Sequence, residues 1–234
     1  SFEAGATVFC RVRPVDYAPC ESPVTFSGLT HGSWFFDIYA ADDLNNFSEP
    51  ITVNWNVDTV PPQTTWLDTP PAINNLDQPV FSFAADEPVA QFFCSHQGAT
   101  FEPCTSPITL DSLTDGQQTF AVYAVDLVGN TEQDEAVFNW WLDRVPPEIS
   151  WTGPIARTTD TSATFTSDAM GLDIFECTLD DVSIPNCGTQ VVFTDLADGT
   201  HTFVGRVSDA AGNWSPDFTW TWTVDTTPPE VLWV

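Results

Sequence analysis

The sequence contains no lysine. All five of its basic residues are arginine, set against 33 acidic ones, and the formal net charge is −28. Nucleic-acid backbones and anionic membrane surfaces are bound by clustered Lys and Arg, so both are excluded as partners. No apolar run of about 18 residues occurs, so no segment is predicted to span a bilayer as a helix. No window holds a helical apolar period, and 19 prolines and 12 glycines interrupt the 234 residues, which argues against helices. Ser-His-Asp order, a nucleophile elbow, a phosphate loop and paired-carboxylate motifs are also missing. The chain is therefore expected not to be an enzyme. What is abundant is apolar material: 42% hydrophobic and 13% aromatic residues, ample for packed cores and too much for a disordered chain.

Length alone allows one or two domains, but the landmarks recur three times. Cysteines stand at Cys10 and Cys20, Cys94 and Cys104, and Cys177 and Cys187, so the first cysteines lie 84 and 83 residues apart. Each pair is followed by a Leu-x-x-Gly turn (Leu29–Gly32, Leu113–Gly116, Leu196–Gly199). An Asp/Asn loop comes next (Asp42–Asn46, Asp126–Asn130, Asp209–Asn213). A Trp-x-x-Asp-x-x-Pro-Pro joint closes each unit, carrying Trp55, Asp58, Pro61 and Pro62, then Trp140, Asp143, Pro146 and Pro147, then Trp222, Asp225, Pro228 and Pro229. Such recurrence defines a tandem array. The expected units are 1–60, 61–145 and 146–227, with 228–234 opening a further one. Repeat one starts at Ser1-Phe2, which aligns with Ser82-Phe83, and is expected to lack its first strand. With no initiator Met and no signal peptide, the sequence reads as a mature piece or an excerpt of something longer.

Within each unit the apolar pattern has a period of two. Val53, Trp55 and Val57 share one face, with Thr52, Asn54 and Asn56 on the other, and Phe138-Trp140-Leu142 and Trp220-Trp222-Val224 repeat the arrangement. Side chains alternate across a strand, so one face is core and the other solvent, with Trp141 the outward exception. Turn spacing predicts about seven short antiparallel strands per unit, a β-sandwich. Gly129 and Gly212 supply positive φ in the Asp/Asn loop, and Asn45 takes their place in repeat one.

The runs Phe175–Asp180, Leu196–Phe203, Asp209–Asn213 and Val224–Pro229 resemble the bacterial immunoglobulin-like repeats of large surface proteins. Those are close in topology to fibronectin type III modules, whose Leu-x-x-Gly corner is echoed by Leu113–Phe120. The resemblance covers the whole chain and implies spacers, stalks or adhesive arms.

Each C-x9-C pair is either a disulfide or half a metal site. The first cysteine lies on the core face of its strand and the second follows a turn with Gly98 or Asp180-Asp181, so a hairpin brings the sulfurs together. Zinc would call for CxxC spacing and nearby histidines, which are lacking. The disulfide is the reading adopted, and it places the chain outside the cytosol. His31, His96 and His201 fall at non-equivalent places in their repeats and read as ordinary surface or half-buried side chains. The sequons at Asn46 and Asn213 are candidate glycosylation sites, against a reading in which Asn ends the turn and Ser caps it. Asp115, Asp143, Asp168 and Asp209 are candidate calcium ligands at the joint of repeats two and three, against a solvated acidic rim.

The function expected from these residues is a non-enzymatic extracellular structural module: a stiff, disulfide-pinned array in a cell-surface fibre, filament or stalk. Two Trp residues eleven positions apart bracket each joint (Trp55 and Trp66, Trp140 and Trp151, Trp222 and Trp233), and the prolines hold the linker extended. The alternatives are a sugar-binding adhesin arm using Trp141, Trp214 or Tyr123, and spacer repeats of a secreted enzyme. The expected partners are adjacent repeats or further copies, head to tail. In the copy reading, the tail Pro228–Val234 adds a strand to repeat one of the next molecule.

Overall fold

The period-two runs form strands throughout. The computed structural model describes residues 5–169 and 174–232, and no helix occurs among them. Trp233 and the Ser1-Phe2 start lie outside the described residues. Repeat one contributes β1 (Thr7–Val12), β2 (Ala18–Pro19), β3 (Gly32–Ala41) and β4 (Ile51–Val57). Repeat two contributes β5 (Thr64–Asp68), β6 (Ile73–Asn74), β7 (Val80–Ala85), β8 (Val89–His96), β9 (Glu102–Cys104), β10 (Ile108–Thr109), β11 (Gly116–Asp126) and β12 (Ala136–Leu142). Repeat three contributes β13 (Trp151–Thr152), β14 (Arg157–Thr158), β15 (Ala163–Ser167), β16 (Ile174–Leu179), β17 (Val182–Ser183), β18 (Gln190–Phe193), β19 (Gly199–Ser208) and β20 (Phe218–Val224).

Repeats two and three each pair a three-stranded sheet (β10-β7-β5, β13-β15-β18) with a five-stranded one (β6-β12-β11-β8-β9, β14-β20-β19-β16-β17). That makes eight strands per repeat among the described residues, where turn spacing predicts seven. The extra one arises because the first strand is cut in two. Pro70 and Pro71 remove two ladder donors after β5, and the chain crosses to the other sheet. There β6 pairs in parallel with β12, Ile73 opposite Trp141. Gly153 and Pro154 do the same in repeat three, where Arg157 pairs with Thr223.

The inner faces are strongly aromatic. In repeat two Phe81, Phe83, Phe120, Val122, Trp140 and Leu142 are buried together, with Trp66 packed against them. In repeat three the ring of Phe165 stacks on Phe203 at 4.1 Å between centroids and lies 5.3 Å from Trp222. A Cβ at Gly153 would stand 2.5 Å from the Phe165 ring, so the crossing residue must be glycine. Among its described residues repeat one shows one sheet, ordered β2-β1-β3-β4. Its inner face, with Val8, Phe36, Ile38, Val53 and Trp55, lines an open groove of about 1230 Å³. Val53 is accordingly 51% exposed.

Burial therefore sets a testable contrast. Phe165→Ala is expected to destabilise repeat three by about 3–5 kcal/mol, as a buried aromatic leaves a cavity. Val53→Ala on the open face is expected to cost about 1 kcal/mol or less. Denaturant unfolding of the two variants checks it. Equal losses would mean that repeat one is covered in solution.

Candidate functional site: the joints between repeats

The Asp/Asn loop of each repeat is closed by one side-chain pair. Asp126 Oδ1 accepts the amides of Val128, Gly129 and Asn130, and its Oδ2 accepts Asn130 Nδ2 at 2.7 Å. Asp209 receives Ala211 and Asn213 in the same way, with Asn213 Nδ2 at 3.0 Å. Asp42 and Asn46 reproduce it in repeat one, with Nδ2 at 2.7 Å. The turn needs one residue with positive φ, supplied by Asn45 (63°), Gly129 (100°) and Gly212 (91°). An asparagine amide carries two protons, and the second one leaves the repeat. Asn130 Nδ2 donates to the Asp58 carbonyl at 3.2 Å, and Asn213 Nδ2 to the Asp143 carbonyl at 2.8 Å. The loops of repeats two and three thus hold the linker of the repeat before them. At the second joint Asn75 Nδ2 also donates to Asn213 Oδ1 at 3.0 Å.

The linker is held from behind as well. The joint aspartates fold it into a tight turn: Asp58 Oδ1 accepts the Val60 amide, Asp143 Oδ1 that of Val145, and Asp225 Oδ1 that of Thr227. The Leu-x-x-Gly turn of the same repeat then supplies a partner. Asp115 accepts Arg144 Nε at 2.7 Å, Asp198 accepts Thr226 Oγ1 at 2.7 Å, and His31 Nδ1 lies 3.2 Å from Asp58 Oδ1. Pro62 is fully buried. Trp66 and Trp151 sit in the cores that follow their linkers and Trp140 in the core before its own, so the bracketing tryptophans anchor separate sandwiches.

The four aspartates expected at the second joint each have another partner. Asp115 holds Arg144, Asp143 and Asp209 take backbone amides, and Asp168 accepts the amide and hydroxyl of Ser150. Among the described residues, the one acidic group of three within 4.8 Å is instead at the first joint: Asp58, Glu87 and Asp126. Burial raises the Glu87 carboxyl above its usual value, helped by Asp58, Asp126 and Asp86 and opposed by His31. Repeat three has Ala169 after Asp168 where repeat two has Glu87 after Asp86, so the Glu87 carboxylate has no counterpart in the sequence of repeat three.

The serines of the two sequons have structural partners. Ser48 Oγ accepts the Ala40 amide and Ser215 Oγ the Val207 amide, locking the loop exit onto the preceding strand. Glu132 fills this place in repeat two, accepting Ala124 N and reaching across to Thr64 N and Oγ1. Asn213 is buried with both amide protons engaged; Asn46 is exposed.

The cysteines form Cys10–Cys20, Cys94–Cys104 and Cys177–Cys187, with Cα atoms 5.8, 5.8 and 5.9 Å apart. They are not directly opposite. Cys94 faces Glu102 and Cys104 faces Phe92, so the bridge runs diagonally across the hairpin.

All five arginines are paired: Arg11 and Arg13 with Asp37, Arg144 with Asp77 and Asp115, Arg157 with Asp225, and Arg206 with Glu176. The Arg13 bond, with Thr52 and Arg11, holds the Asp37 carboxyl well below the usual range despite its burial. Of the aromatics suggested for sugar binding, Trp141 and Tyr123 lie on the outer face of the five-stranded sheet of repeat two and Trp214 belongs to repeat three. Arg206 covers Trp214 at 4.6 Å, Tyr123 is stacked on Phe93, and Trp141 stands apart, half exposed.

No family model and no curated protein sequence matches the chain. Solved structures similar to it include the fibronectin(III)-like modules of Clostridium thermocellum CbhA, at 15% identity and a TM-score of 0.47, covering 69% of this chain and 94% of that one. A structure from work on host cell surface retention of a 1.5-MDa bacterial ice-binding adhesin is similar at 12% identity and a TM-score of 0.46, covering 94% and 85%. A tetra-tandem repeat from the extending region of a large adhesion protein gives 17% identity and a TM-score of 0.32, covering 94% and 66%.

The loops predict what acid and mutation do to the joints. Hydrogen bonds lower the Asp126 and Asp209 carboxyls despite partial burial. Their contribution is thus complete above an unfolded value of about 3.9 and is lost as pH falls through the lower folded value. Asn130→Ala and Asn213→Ala are expected to widen the distance distribution between spin labels placed on adjacent repeats at neutral pH. Acid is expected to widen it in the wild type. An unchanged distribution in both variants would show that these bonds do not set the joint.

Proposed function

We propose that the chain is a stiff structural segment of an extracellular array, in which each repeat serves to space and orient the next. The observation that carries this is the capture of the linker carbonyl at both joints, Asp58 by Asn130 and Asp143 by Asn213. A flexible tether leaves its carbonyls to water; here they are bound by the module ahead. The prolines add to this, since Pro61-Pro62 and Pro146-Pro147 cannot coil and hold the preceding residues extended. Three disulfides suit an oxidising compartment outside the cytosol and cross-link modules too small to bury much of their surface. Catalysis has no part in this reading, because the charged groups at the joints are consumed in holding loops and linkers. The sequence period and the head-to-tail joints support a longer succession of the same contacts, through further repeats or further copies, of the kind that yields a fibre.

Small-angle scattering on the whole chain tests the stiffness. An extended shape with one maximum dimension is expected, and replacing Pro61, Pro62, Pro146 and Pro147 by Gly is expected to shorten and broaden it. Identical profiles for the two proteins would refute the rigid joint. Sedimentation over a concentration series separately tests whether copies associate.

A further inference from the structure

The Leu-x-x-Gly turn that begins the long strand of each repeat is tied down by a bond that three unlike residues make. In repeat one, Trp34 Nε1 donates to the Thr30 carbonyl at 2.8 Å. In repeat two, Gln118 Nε2 donates to the Thr114 carbonyl at 2.6 Å. In repeat three, His201 Nε2 stands 2.9 Å from the Ala197 carbonyl. Each donor sits two residues after the turn glycine, and each acceptor lies four residues before its donor. Each donor also lies opposite the core tryptophan of the neighbouring strand, Trp55, Trp140 or Trp222. The position accepts any side chain that can present an N–H backwards. Trp34 and Gln118 carry that N–H at every physiological pH, whereas in histidine it depends on protonation and tautomer.

The other ring nitrogen removes the freedom that a neutral histidine would have. His201 Nδ1 lies 2.8 Å from Asp180 Oδ2, in the β16–β17 turn, and Asp180 Oδ1 accepts the Thr202 amide at 2.8 Å. A carbonyl and an ionised carboxylate are both acceptors without a proton to give. Two bonds therefore need two ring N–H groups, which only the imidazolium has. The side chain is 11% exposed, and its ring lies 5.5 Å from that of Trp222 on β20. Asp198, in the turn itself, gives its oxygens to Thr226 and Thr227, and Asp225 beyond β20 takes Arg157. Asp181, the remaining acid of the β16–β17 turn, makes no hydrogen bond to the ring. Asp180 is thus the carboxylate in contact with it.

We propose that His201 makes repeat three a pH-responsive module, its turn fully closed while the imidazolium donates to both Asp180 and Ala197 and loosened when the ring gives up a proton. A neutral ring keeps one of the two bonds and leaves the other acceptor unpaired in a half-buried place. Burial works against the charged ring, but the bonds to Asp180 and Ala197 outweigh it and the His201 pKa is raised. A raised value fixes the sign. The contribution is complete below the unfolded value of about 6.5 and is lost as pH rises through the folded value. Repeat two closes its turn through Gln118 Nε2, which donates at any pH, with His96 Nε2 2.8 Å from the Gln118 Oε1, so loss of the His201 proton acts on the turn of repeat three.

Hydrogen exchange on the whole chain, read by mass spectrometry in β16 and β19, tests this against His201→Gln, which installs the residue repeat two uses. The wild-type to H201Q ratio of protection in repeat three is expected to fall between about pH 6 and pH 9. The fall should be about tenfold for each unit by which the ring is raised, while the ratio in β8 and β11 of repeat two stays flat. Asp180→Asn is expected to move the fall to lower pH. NMR titration of the wild-type imidazole gives an answer even if H201Q folds poorly. A ratio in repeat three that does not change with pH, a ring titrating at or below its ordinary value, or a D180N midpoint equal to the wild type would each overturn the proposal.

Discussion

The carboxylate–carboxamide pair of the Asp/Asn loop is the contact on which the architecture turns. Asp42, Asp126 and Asp209 each gather backbone amides that would otherwise point into a solvent-exposed bend, and each fixes the asparagine at the far end. At Asn130 and Asn213 this aims the second amide proton outward, at the place where the preceding linker passes. A loop that closes itself thereby becomes a socket for its neighbour. Without the carboxylate the asparagine is free to rotate, and the linker bond costs side-chain entropy that the loop now contributes in advance.

Modules of this size have little core, and each repeat answers the shortage in the same way. Rings fill the space between the sheets, from Phe81 and Phe120 in repeat two to Phe165, Phe203 and Trp222 in repeat three. The disulfide crosses the short hairpin at the edge of the larger sheet, where β9 or β17 has few ladder bonds of its own. In the chain-entropy account, closing a loop of 11 residues contributes about 2.5–3 kcal/mol, a large share of the margin of a domain of about 85 residues. A short edge segment with few ladder bonds is thus held covalently as well.

The period, the cysteine pairs and the Trp-x-x-Asp-x-x-Pro-Pro joints were legible because each is a pattern along one dimension. The same holds for the alternation of Val53, Trp55 and Val57, which fixes a face without knowledge of any partner. What stayed hidden depends on partners distant in sequence. The two-residue strands β6 and β14 have no pattern of their own and exist only because proline or glycine ends the strand before them. The turn bond is not legible in the sequence because Trp34, Gln118 and His201 share an N–H donor and a geometry but no residue type. The calcium candidates follow from the expected stacking of repeats two and three, which gathers aspartates at one joint. Each of Asp115, Asp143, Asp168 and Asp209 is satisfied by an amide, hydroxyl or guanidinium in its own vicinity, which a sequence does not display.

Charge raises a last question, whether repulsion alone straightens such an acidic chain. The net charge is −28 and every arginine already has a carboxylate, so nothing is left over to neutralise the surface. The length scales decide the matter. A strand of seven residues such as β20 spans roughly 24 Å, while charges at physiological ionic strength are screened over about 8 Å. Successive joints are therefore separated by several screening lengths and do not sense one another's charge. Within one joint the carboxylates do interact, but like charges brought together at Asp58, Glu87 and Asp126 push the modules apart and select no angle. Repulsion keeps the array soluble and discourages lateral contact. Direction along the chain has to come from bonds of short range and defined geometry, and at each joint those are the ones that asparagine, linker carbonyl and turn residue make.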